Sequence, residues 1–201
     1  MRSSATLREV IGLDNTPPRL GGACTLIMID FQNTYRTGVM ALDGVEPALA
    51  AGARLLAAAR AAGTPVVHVV NDGGAGTPYD IRAEIGAISG EVAPADGESV
   101  VVKQVPDAFH DTDLEYTLRD LDAGPDLILA GFMTHMCVTF TAQGAFNLGY
   151  RPTVVAEATA TRALPTLDGA VIPAETLQSA SLTTIADLFG LVVPTVAHLV
   201  D

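Results

Sequence analysis

Short, continuous runs of apolar residues recur along the chain and alternate with longer segments of helical periodicity. Each run is too short for a helix, and most are rich in valine or isoleucine, as is typical of parallel strands buried on both faces. Six runs fit this description: residues 25–31, 65–71, 99–105, 126–132, 152–158 and 191–196. The alternation predicts successive β-α-β units around one parallel sheet.

The segments between the runs predict four helices, over residues 45–62, 114–121, 137–148 and 174–189. Gly63, Gly124 and Gly149 follow the first three, and a glycine just past the last turn is a common helix stop. In the third helix Ala142 and Ala145 share a face with Gly149. We expect this face of small residues to pack on the sheet.

A chain of 201 residues without an internal repeat or an interdomain linker is predicted to form one domain. Residues 1–22 contain Thr16-Pro17-Pro18 and Gly21-Gly22, which interrupt regular structure before the first apolar run. We therefore interpret residues 1–22 as an N-terminal arm that packs on the domain or on a neighbour. Residues 23–201 are predicted to form the domain itself.

The overall charge excludes two classes of partner. Eleven basic and 23 acidic residues give a formal net charge of −12. Affinity for nucleic acids and for anionic membranes comes mainly from lysine and arginine, so we expect no nucleic-acid partner and no membrane partner. No apolar stretch approaches the length of a membrane span. A small-molecule substrate is the partner expected instead.

The two cysteines, Cys24 and Cys137, form neither a CxxC motif nor a Cys/His cluster. This argues against a disulfide scaffold and a structural zinc site, and it favours the cytoplasm as the location. Charged residues make up only 17% of the chain, below the usual share of about a quarter. So sparse a surface charge predicts a homo-oligomer, a dimer or a tetramer.

Polar residues end or follow three of the apolar runs, at the sheet edge where ligands bind in parallel α/β folds. Asp30 ends Leu26-Ile27-Met28-Ile29, and Lys103 ends a run of three valines. Cys137 follows the fourth run after a short turn. We expect an acid, a base and a thiol to meet at this edge.

Taken singly, each residue also has an ordinary structural interpretation. Asp30 could cap a turn, Lys103 could extend into solvent, and Cys137 could be a small buried apolar residue. Lys103, however, is the only lysine in the chain, since the other ten basic residues are arginines. Their joint occurrence at one edge favours a catalytic set.

The chemistry of a nucleophilic thiol calls for this combination. A thiol reacts as the thiolate, and a nearby cation such as Lys103, together with a helix that begins at Cys137, would lower its pKa. Asp30 could take the thiol proton and return it to a leaving group. Backbone N–H groups in the turn from Met133 to Cys137 could hold the oxyanion of a tetrahedral intermediate.

The sequence resembles the isochorismatase-like cysteine hydrolases. The resemblance is carried by the run that ends in Asp30-Phe31-Gln32-Asn33, by the strand-end Lys103 and by Gly131-Phe132-Met133-Thr134-His135-Met136-Cys137. It extends from about residue 23 to the C-terminus. The family implies a three-layer α/β/α fold with a six-stranded parallel sheet and a catalytic triad of Asp30, Lys103 and Cys137.

The resemblance also implies a cis peptide bond between Phe132 and Met133, and an oxyanion hole formed by the backbone N–H groups of Met133 and Cys137. Many members hydrolyse small amides, ureas or carbamoyl compounds through a thioester. The branch that gives the family its name cleaves the vinyl ether of isochorismate, which the aspartate alone could catalyse as an acid. The presence of Cys137 favours C–N bond hydrolysis.

Two alternatives stay open. The first is vinyl ether hydrolysis with Asp30 as the acid, and the second is a redox-sensing thiol without turnover. The nicotinamidase branch carries a metal after the second strand, but here Asn71 and Gly73 stand where two of its ligands would fall. We therefore predict no metal and no other cofactor.

Aromatic residues near the predicted triad are candidates for the substrate-binding wall, namely Phe31, Tyr35 and Phe109. His135 could form a rival His/Cys dyad, but a structural role fits its position in the turn better. The glycine-rich residues 72–78 lack a phosphate-binding pattern, and a mobile rim or lid is the interpretation that fits them.

Overall fold

The computed structural model describes residues 4–200, and its centre is a sheet of six strands with helices on both faces. The strands are β1 (Cys24–Ile29), β2 (Val66–Asn71), β3 (Ser99–Lys103), β4 (Asp126–Phe132), β5 (Arg151–Ala160), β6 (Leu164–Pro165), β7 (Val171–Ile172) and β8 (Leu191–Val193). The helices are α1 (Leu7–Val10), α2 (Val45–Ala61), α3 (Leu114–Asp120), α4 (Thr139–Asn147) and α5 (Ala174–Thr184).

The large sheet has the spatial order β3-β2-β1-β4-β5-β8, and every neighbouring pair is parallel. The fold class predicted from the sequence is therefore confirmed, and each of the six apolar runs overlaps one strand of the large sheet. The short antiparallel pair β6-β7 escaped prediction, because each of its strands has only two residues.

Alternating residues of the central strands supply two separate cores. Leu26 and Met28 of β1 lie in the cluster that contains the buried face of α2. Ile27 and Ile29 lie in the opposite cluster with buried residues of α3 and α4. This alternation follows from the two-residue period of a strand and produces the three layers.

Two of the three predicted glycine stops adopt the left-handed conformation, with φ 70° at Gly63 and 87° at Gly149. Gly124 does not play this role, because Asp122 (φ 50°) takes the left-handed position after α3. Gly124 is instead packed against the preceding chain, where a Cβ would lie 2.3 Å from the carbonyl oxygen of Ala23.

One π-helical turn overlaps the start of the predicted third helix, and another forms the end of the predicted fourth. The turn Thr134–Val138 precedes α4, so Cys137 lies inside a wide turn and does not begin an α-helix as predicted. The turn Ile185–Phe189 follows α5. Single π-turns of this kind are often found at functional sites.

The N-terminal arm contains the short helix α1, which the sequence analysis did not predict. Thr6 and Glu9 form a capping box at its start. Arg8 donates to the carbonyl oxygen of Leu188 at 3.2 Å, and the Leu7 amide donates to Asp187 at 2.9 Å. The arm is thus fastened to the domain surface beside the second π-turn.

Gly131, in β4, allows the two central strands to approach each other just before the turn that carries Cys137. Its φ is 137°, and a Cβ at this position would lie 1.8 Å from the carbonyl oxygen of Ile29. No side chain fits there without a movement of the backbone. The strand that presents Cys137 therefore depends on glycine at this position.

We predict that Gly131→Ala lowers the free energy of unfolding by about 3 kcal/mol or more, since it combines backbone strain with a steric clash. Gly149→Ala is the control, because its φ is also positive but no atom lies within 4 Å of the added Cβ. That variant should lose only about 1 kcal/mol. Denaturant unfolding measures both, and equal losses would contradict the prediction.

Candidate active site

The three residues predicted to be catalytic lie together at the carboxyl edge of the sheet. Asp30 directly follows β1, Lys103 is the last residue of β3, and Cys137 lies in the turn after β4. β2 separates β1 from β3, so the long lysine side chain spans one strand to reach Asp30. Parallel order brings all three residues to the same edge, as ligand binding in such sheets requires.

The backbone at Asp30 turns sharply out of the sheet. Its φ is 51°, a left-handed conformation that aspartate tolerates better than most residues. The amide of Asp30 still donates to the Val69 carbonyl at 2.9 Å, which keeps the residue tied to β2. The strand therefore ends at this residue while its carboxylate stays fully buried.

The triad is in direct contact. Lys103 Nζ lies 2.7 Å from Asp30 Oδ2 and 3.2 Å from Cys137 Sγ. Both partners of the ion pair are excluded from solvent, with 0% of either side chain exposed. Within residues 4–200, no N–H or O–H group other than the Lys103 ammonium donates to the carboxylate oxygens, and the Cys137 thiol is their remaining hydrogen-bond donor. The carboxylate thus keeps acceptor capacity for the thiol and for a substrate.

Burial and the neighbouring charges shift both members of the ion pair. Burial raises the pKa of the Asp30 carboxyl, and the positive charge of Lys103 opposes this effect. Burial alone would lower the pKa of the Lys103 ammonium, but the negative charge of Asp30 and the contacts with Asp30 and Cys137 outweigh it, and the pKa is raised. Lys103 therefore carries its charge at neutral pH.

The pKa of the Cys137 thiol is shifted in the direction opposite to the one predicted from the sequence. Burial, followed by the charge of Asp30, raises its pKa to about 12, although Lys103 acts in the opposite direction. The sequence analysis predicted a lowered pKa because it counted the cation and a helix N-terminus but not the burial of the thiol beside a carboxylate. In the free protein the thiol is protonated, and Asp30 is its acceptor.

A small pocket opens on the thiol. Its volume is about 210 Å³, which suits a small molecule. The residues that line it come from the ends of several strands and from the loops beyond them: Tyr35, Asn71, Tyr79, Gln104, Val105, Pro106, Met133, Met136 and Cys137. Tyr79 and Gln104 lie outside the motifs, and Met136 lies inside the motif that ends in Cys137, but the sequence analysis identified none of the three as a pocket residue.

One of the three predicted aromatic wall residues lines this pocket. Tyr35 does so, and its ring makes an edge contact with Tyr79 at a centroid distance of 5.8 Å. The other two, Phe31 and Phe109, are not among the residues that line this pocket. Phe31 is buried against Gly52 of α2 and Phe132. Phe109 stacks on Tyr150 and packs against the core cluster on the opposite face of the sheet.

The turn between β4 and α4 brings backbone and side chains to the pocket. The peptide bond between Phe132 and Met133 is cis. Met133 and Cys137, the two residues expected to form an oxyanion hole, both line the pocket. Thr134 fastens the turn to the neighbouring strand by donating from its hydroxyl to the Ala160 carbonyl at 3.0 Å.

His135 is hydrogen-bonded to a residue other than Cys137, which argues against a His/Cys dyad. Its Nδ1 is hydrogen-bonded to the Thr161 hydroxyl, beyond the end of β5. Burial and the charge of Arg162 lower its pKa. His68, in β2, is buried and hydrogen-bonded to Glu98 at 2.9 Å. Both histidines thus have structural partners.

The residues at the position of the nicotinamidase metal site do not fit a metal. The Asn71 side-chain oxygen lies 3.3 Å from Lys103 Nζ, so a cation already occupies that acceptor. Gly73 has no ligand atom, and a Cβ there would lie 2.8 Å from the Thr77 hydroxyl. Within residues 4–200, no cluster of three His, Cys, Asp or Glu side chains could hold a metal ion.

The glycine-rich residues 72–78 form a series of tight turns beside the pocket. Asp72 accepts from the Gly74 amide at 2.8 Å, and the Gly73 amide donates to the Tyr79 carbonyl at 3.1 Å. Arg82 forms an ion pair with Asp72 at 3.2 Å. These contacts position Tyr79 at the pocket. Whether the loop moves as a lid stays a prediction.

Comparison with known proteins assigns the chain to a family. The family model described as the isochorismatase domain matches residues 24–196. The chain belongs to the isochorismatase family of hydrolases. The family predicted from the sequence motifs is thereby confirmed.

Three similar proteins illustrate the range of the family. An isochorismatase from Pseudomonas putida of known structure is 39% identical with a TM-score of 0.92, over 98% of this chain and 100% of that one. The secreted isochorismatase effector Isc1 of Verticillium dahliae is 32% identical over 94% of this chain and 96% of its own length. The ureidoacrylate amidohydrolase RutB of Stutzerimonas stutzeri is 31% identical over 67% and 68%.

We predict that Lys103→Met lowers the free energy of unfolding by about 3–5 kcal/mol at neutral pH, because it leaves the buried Asp30 charge without a partner. In this variant the carboxyl pKa rises further above its ordinary 3.8. A raised carboxyl pKa gives stability at low pH that is lost as the pH rises through it, so the defect should shrink in acid.

Denaturant titrations across the acid range measure this effect. The double variant Asp30→Asn with Lys103→Met is the control, because it removes both charges. It should lose less than Lys103→Met alone at neutral pH. A defect that does not change with pH, or a larger loss of unfolding free energy in the double variant, would show that Lys103 does not stabilise the buried charge of Asp30.

We also predict that alkylation of Cys137 by iodoacetamide accelerates about tenfold per pH unit from neutral pH to about 9, because the thiolate is the reacting form and the thiol pKa is about 12. Peptide mass spectrometry resolves Cys137 from Cys24. A rate that levels off below pH 8 would instead indicate a lowered thiol pKa.

Proposed function

We propose that the protein is a cysteine hydrolase that cleaves the C–N bond of a small amide, urea or carbamoyl compound through a thioester on Cys137. The observation that carries the proposal is that the Cys137 thiol, at a small pocket, lies 3.2 Å from Lys103 Nζ and is hydrogen-bonded to Asp30. This set supplies a nucleophile, a proton acceptor and a fixed positive charge within a few ångströms.

In the first half-reaction Asp30 accepts the thiol proton as Sγ attacks the substrate carbonyl carbon. The negative charge that develops on the carbonyl oxygen is stabilised by the backbone N–H groups of Met133 and Cys137. Asp30 then gives the proton to the leaving nitrogen, the C–N bond breaks, and ammonia or an amine departs. A raised carboxyl pKa suits an acid that must donate at neutral pH.

In the second half-reaction Asp30 accepts a proton from water, which attacks the thioester carbonyl. The C–S bond breaks, the proton returns to Sγ, and the acid product leaves. Lys103 keeps its charge throughout, because Asp30 and Cys137 raise the pKa of its ammonium. No step uses a metal, and we propose that the enzyme is metal-independent and needs no cofactor.

The similarity to a ureidoacrylate amidohydrolase supports this proposal, since that relative's name describes hydrolysis of a ureido compound. A pocket of about 210 Å³ favours small substrates. Its walls combine tyrosine and methionine side chains with the amides of Asn71 and Gln104, a mixture that suits a small polar amide.

A second candidate function is vinyl ether hydrolysis of isochorismate with Asp30 as the acid. The observation in its favour is the similarity to the secreted isochorismatase effector, which covers more of both chains than the similarity to the amidohydrolase does. The redox-sensing alternative has no such support. A buried thiol with a raised pKa is a poor target for peroxide.

We predict that wild-type protein releases ammonia from at least one member of a panel of small amides, ureas and carbamoyl compounds, and that Cys137→Ala abolishes the release. The matched control is Cys24→Ala, because Cys24 is equally buried but donates to the Arg19 carbonyl and does not line the pocket. It should retain turnover within about twofold. Turnover should also survive chelation.

The same variants separate the candidate functions when they are assayed with isochorismate. Vinyl ether hydrolysis that persists in Cys137→Ala and fails in Asp30→Asn would favour the second candidate. Ammonia release from Cys137→Ala would contradict the thioester. Loss of activity on chelation, with recovery on addition of a metal, would contradict metal independence.

Two further properties are proposals of the same kind. We propose a homo-oligomer, a dimer or a tetramer, because large apolar side chains such as Val39, Leu167 and Val171 are exposed on the single chain. We propose a cytoplasmic location from the sparse and unpaired cysteines. Among the helices of residues 4–200, none has the length and apolar composition of a membrane span.

A further inference from the structure

Asn71 makes a contact with the triad that the mechanism above does not use. It is the last residue of β2 and lies in register with Lys103 on the neighbouring strand. Its side-chain oxygen is 3.3 Å from Lys103 Nζ. The ammonium has three protons, and its three acceptors are Asp30, Cys137 and Asn71. Asn71 therefore completes the contacts of the lysine.

The backbone of Asn71 is fixed from the opposite side by a side chain. Gln32 donates from Nε2 to the Asn71 carbonyl at 3.0 Å and accepts from the Asn71 amide at 3.0 Å. Gln32 is fully buried and also donates to the Gly86 carbonyl at 2.7 Å. This two-point attachment leaves the Asn71 side chain with little freedom to turn away from the lysine.

The contact with Lys103 also determines which way the amide faces. An ammonium group only donates, so the oxygen of the amide must face it and the nitrogen must face the other way. Within residues 4–200, no protein group accepts a hydrogen bond from the side-chain nitrogen of Asn71. Asn71 lines the pocket together with Cys137, so these two N–H groups are available to a molecule bound there.

We propose that Asn71 is a positioning residue that holds the third proton of Lys103 through its oxygen and donates from its nitrogen to an acceptor atom of the bound substrate. The second role rests on the proposed function, because it names a small amide, urea or carbamoyl compound as the molecule in the pocket. The first role concerns only the triad. A neutral amide performs both roles, whereas a carboxylate or an aliphatic side chain does not.

The charge of the side chain at position 71 affects how readily the Cys137 thiol ionises. A carboxylate at this position would be a second anion beside Lys103, and it would disfavour the thiolate of Cys137. The neutral amide of Asn71 accepts a hydrogen bond from Lys103 without adding a negative charge beside the thiol. Replacement by alanine removes the N–H donors but leaves the net charge of the site unchanged.

The experiment measures alkylation of Cys137 by iodoacetamide, which is both a small primary amide and a thiol reagent, so it probes the site without turnover. Asn71→Ala should raise the concentration of half-saturation about fivefold and change the limiting rate constant by less than about threefold. Asn71→Asp should lower the limiting rate constant about tenfold at fixed pH.

The matched controls are Asn147→Ala and Asn147→Asp, which make the same substitutions at an exposed residue at the end of α4. Both should leave half-saturation and limiting rate within about twofold of wild type. Circular dichroism of each variant establishes that the fold is retained. Asn71→Asp has nearly the volume of the native residue and therefore decides the matter if Asn71→Ala does not fold.

Each of the two proposed roles of Asn71 has a result that would overturn it. Unchanged half-saturation in folded Asn71→Ala would show that the amide nitrogen does not reach the bound molecule. An unchanged limiting rate in Asn71→Asp would show that the oxygen does not act on Lys103. If wild-type protein hydrolyses no amide while both alkylation effects appear, the proposed function fails and the placement of Asn71 stands.

Discussion

The buried ion pair between Asp30 and Lys103 is the constraint on which the rest of the site depends. Both side chains are buried in the protein interior, where a lone charge is strongly disfavoured. Each charge therefore requires the other. The pair also ties the end of β3 to the end of β1 across the intervening strand. The same pair fixes a negative and a positive group beside one thiol.

This arrangement stabilises a protonated thiol in the free protein, since burial and the neighbouring carboxylate together raise the pKa of Cys137 to about 12. Activation by a permanently lowered pKa, as in many cysteine enzymes, does not operate here. In the proposed mechanism the nucleophile forms instead when its proton moves to Asp30 as the thiol attacks. That mechanism requires no thiolate until a carbonyl group is in place.

The sequence was sufficient to predict the sheet, its parallel order and the three residues at its edge, because strand periodicity and strand ends are local properties of the chain. The pocket walls were harder to predict. Phe31 and Tyr35 lie four positions apart, yet one packs under α2 and the other lines the pocket. That difference depends on how the chain turns after Asp30, whose backbone is left-handed. No local sequence pattern predicts this turn.

Residues that act through tertiary contacts were missed for the same reason. Asn71 was considered only as a position that lacks a metal ligand, because its contact with Lys103 depends on the register of β2 and β3. Tyr79 reaches the pocket through a loop held by Asp72 and Arg82, whose ion pair joins residues ten positions apart. The raised thiol pKa likewise follows from burial, which only the assembled structure reveals.

The central claim is that Cys137 becomes covalently acylated during turnover. Rapid acid quench of the enzyme with an amide that it hydrolyses, followed by intact-mass and peptide mass spectrometry, tests this most directly. The account predicts a transient adduct equal in mass to the substrate less its leaving ammonia or amine, located on Cys137 and formed at the rate of amine release. Turnover without any adduct, or with an adduct on another residue, would contradict it.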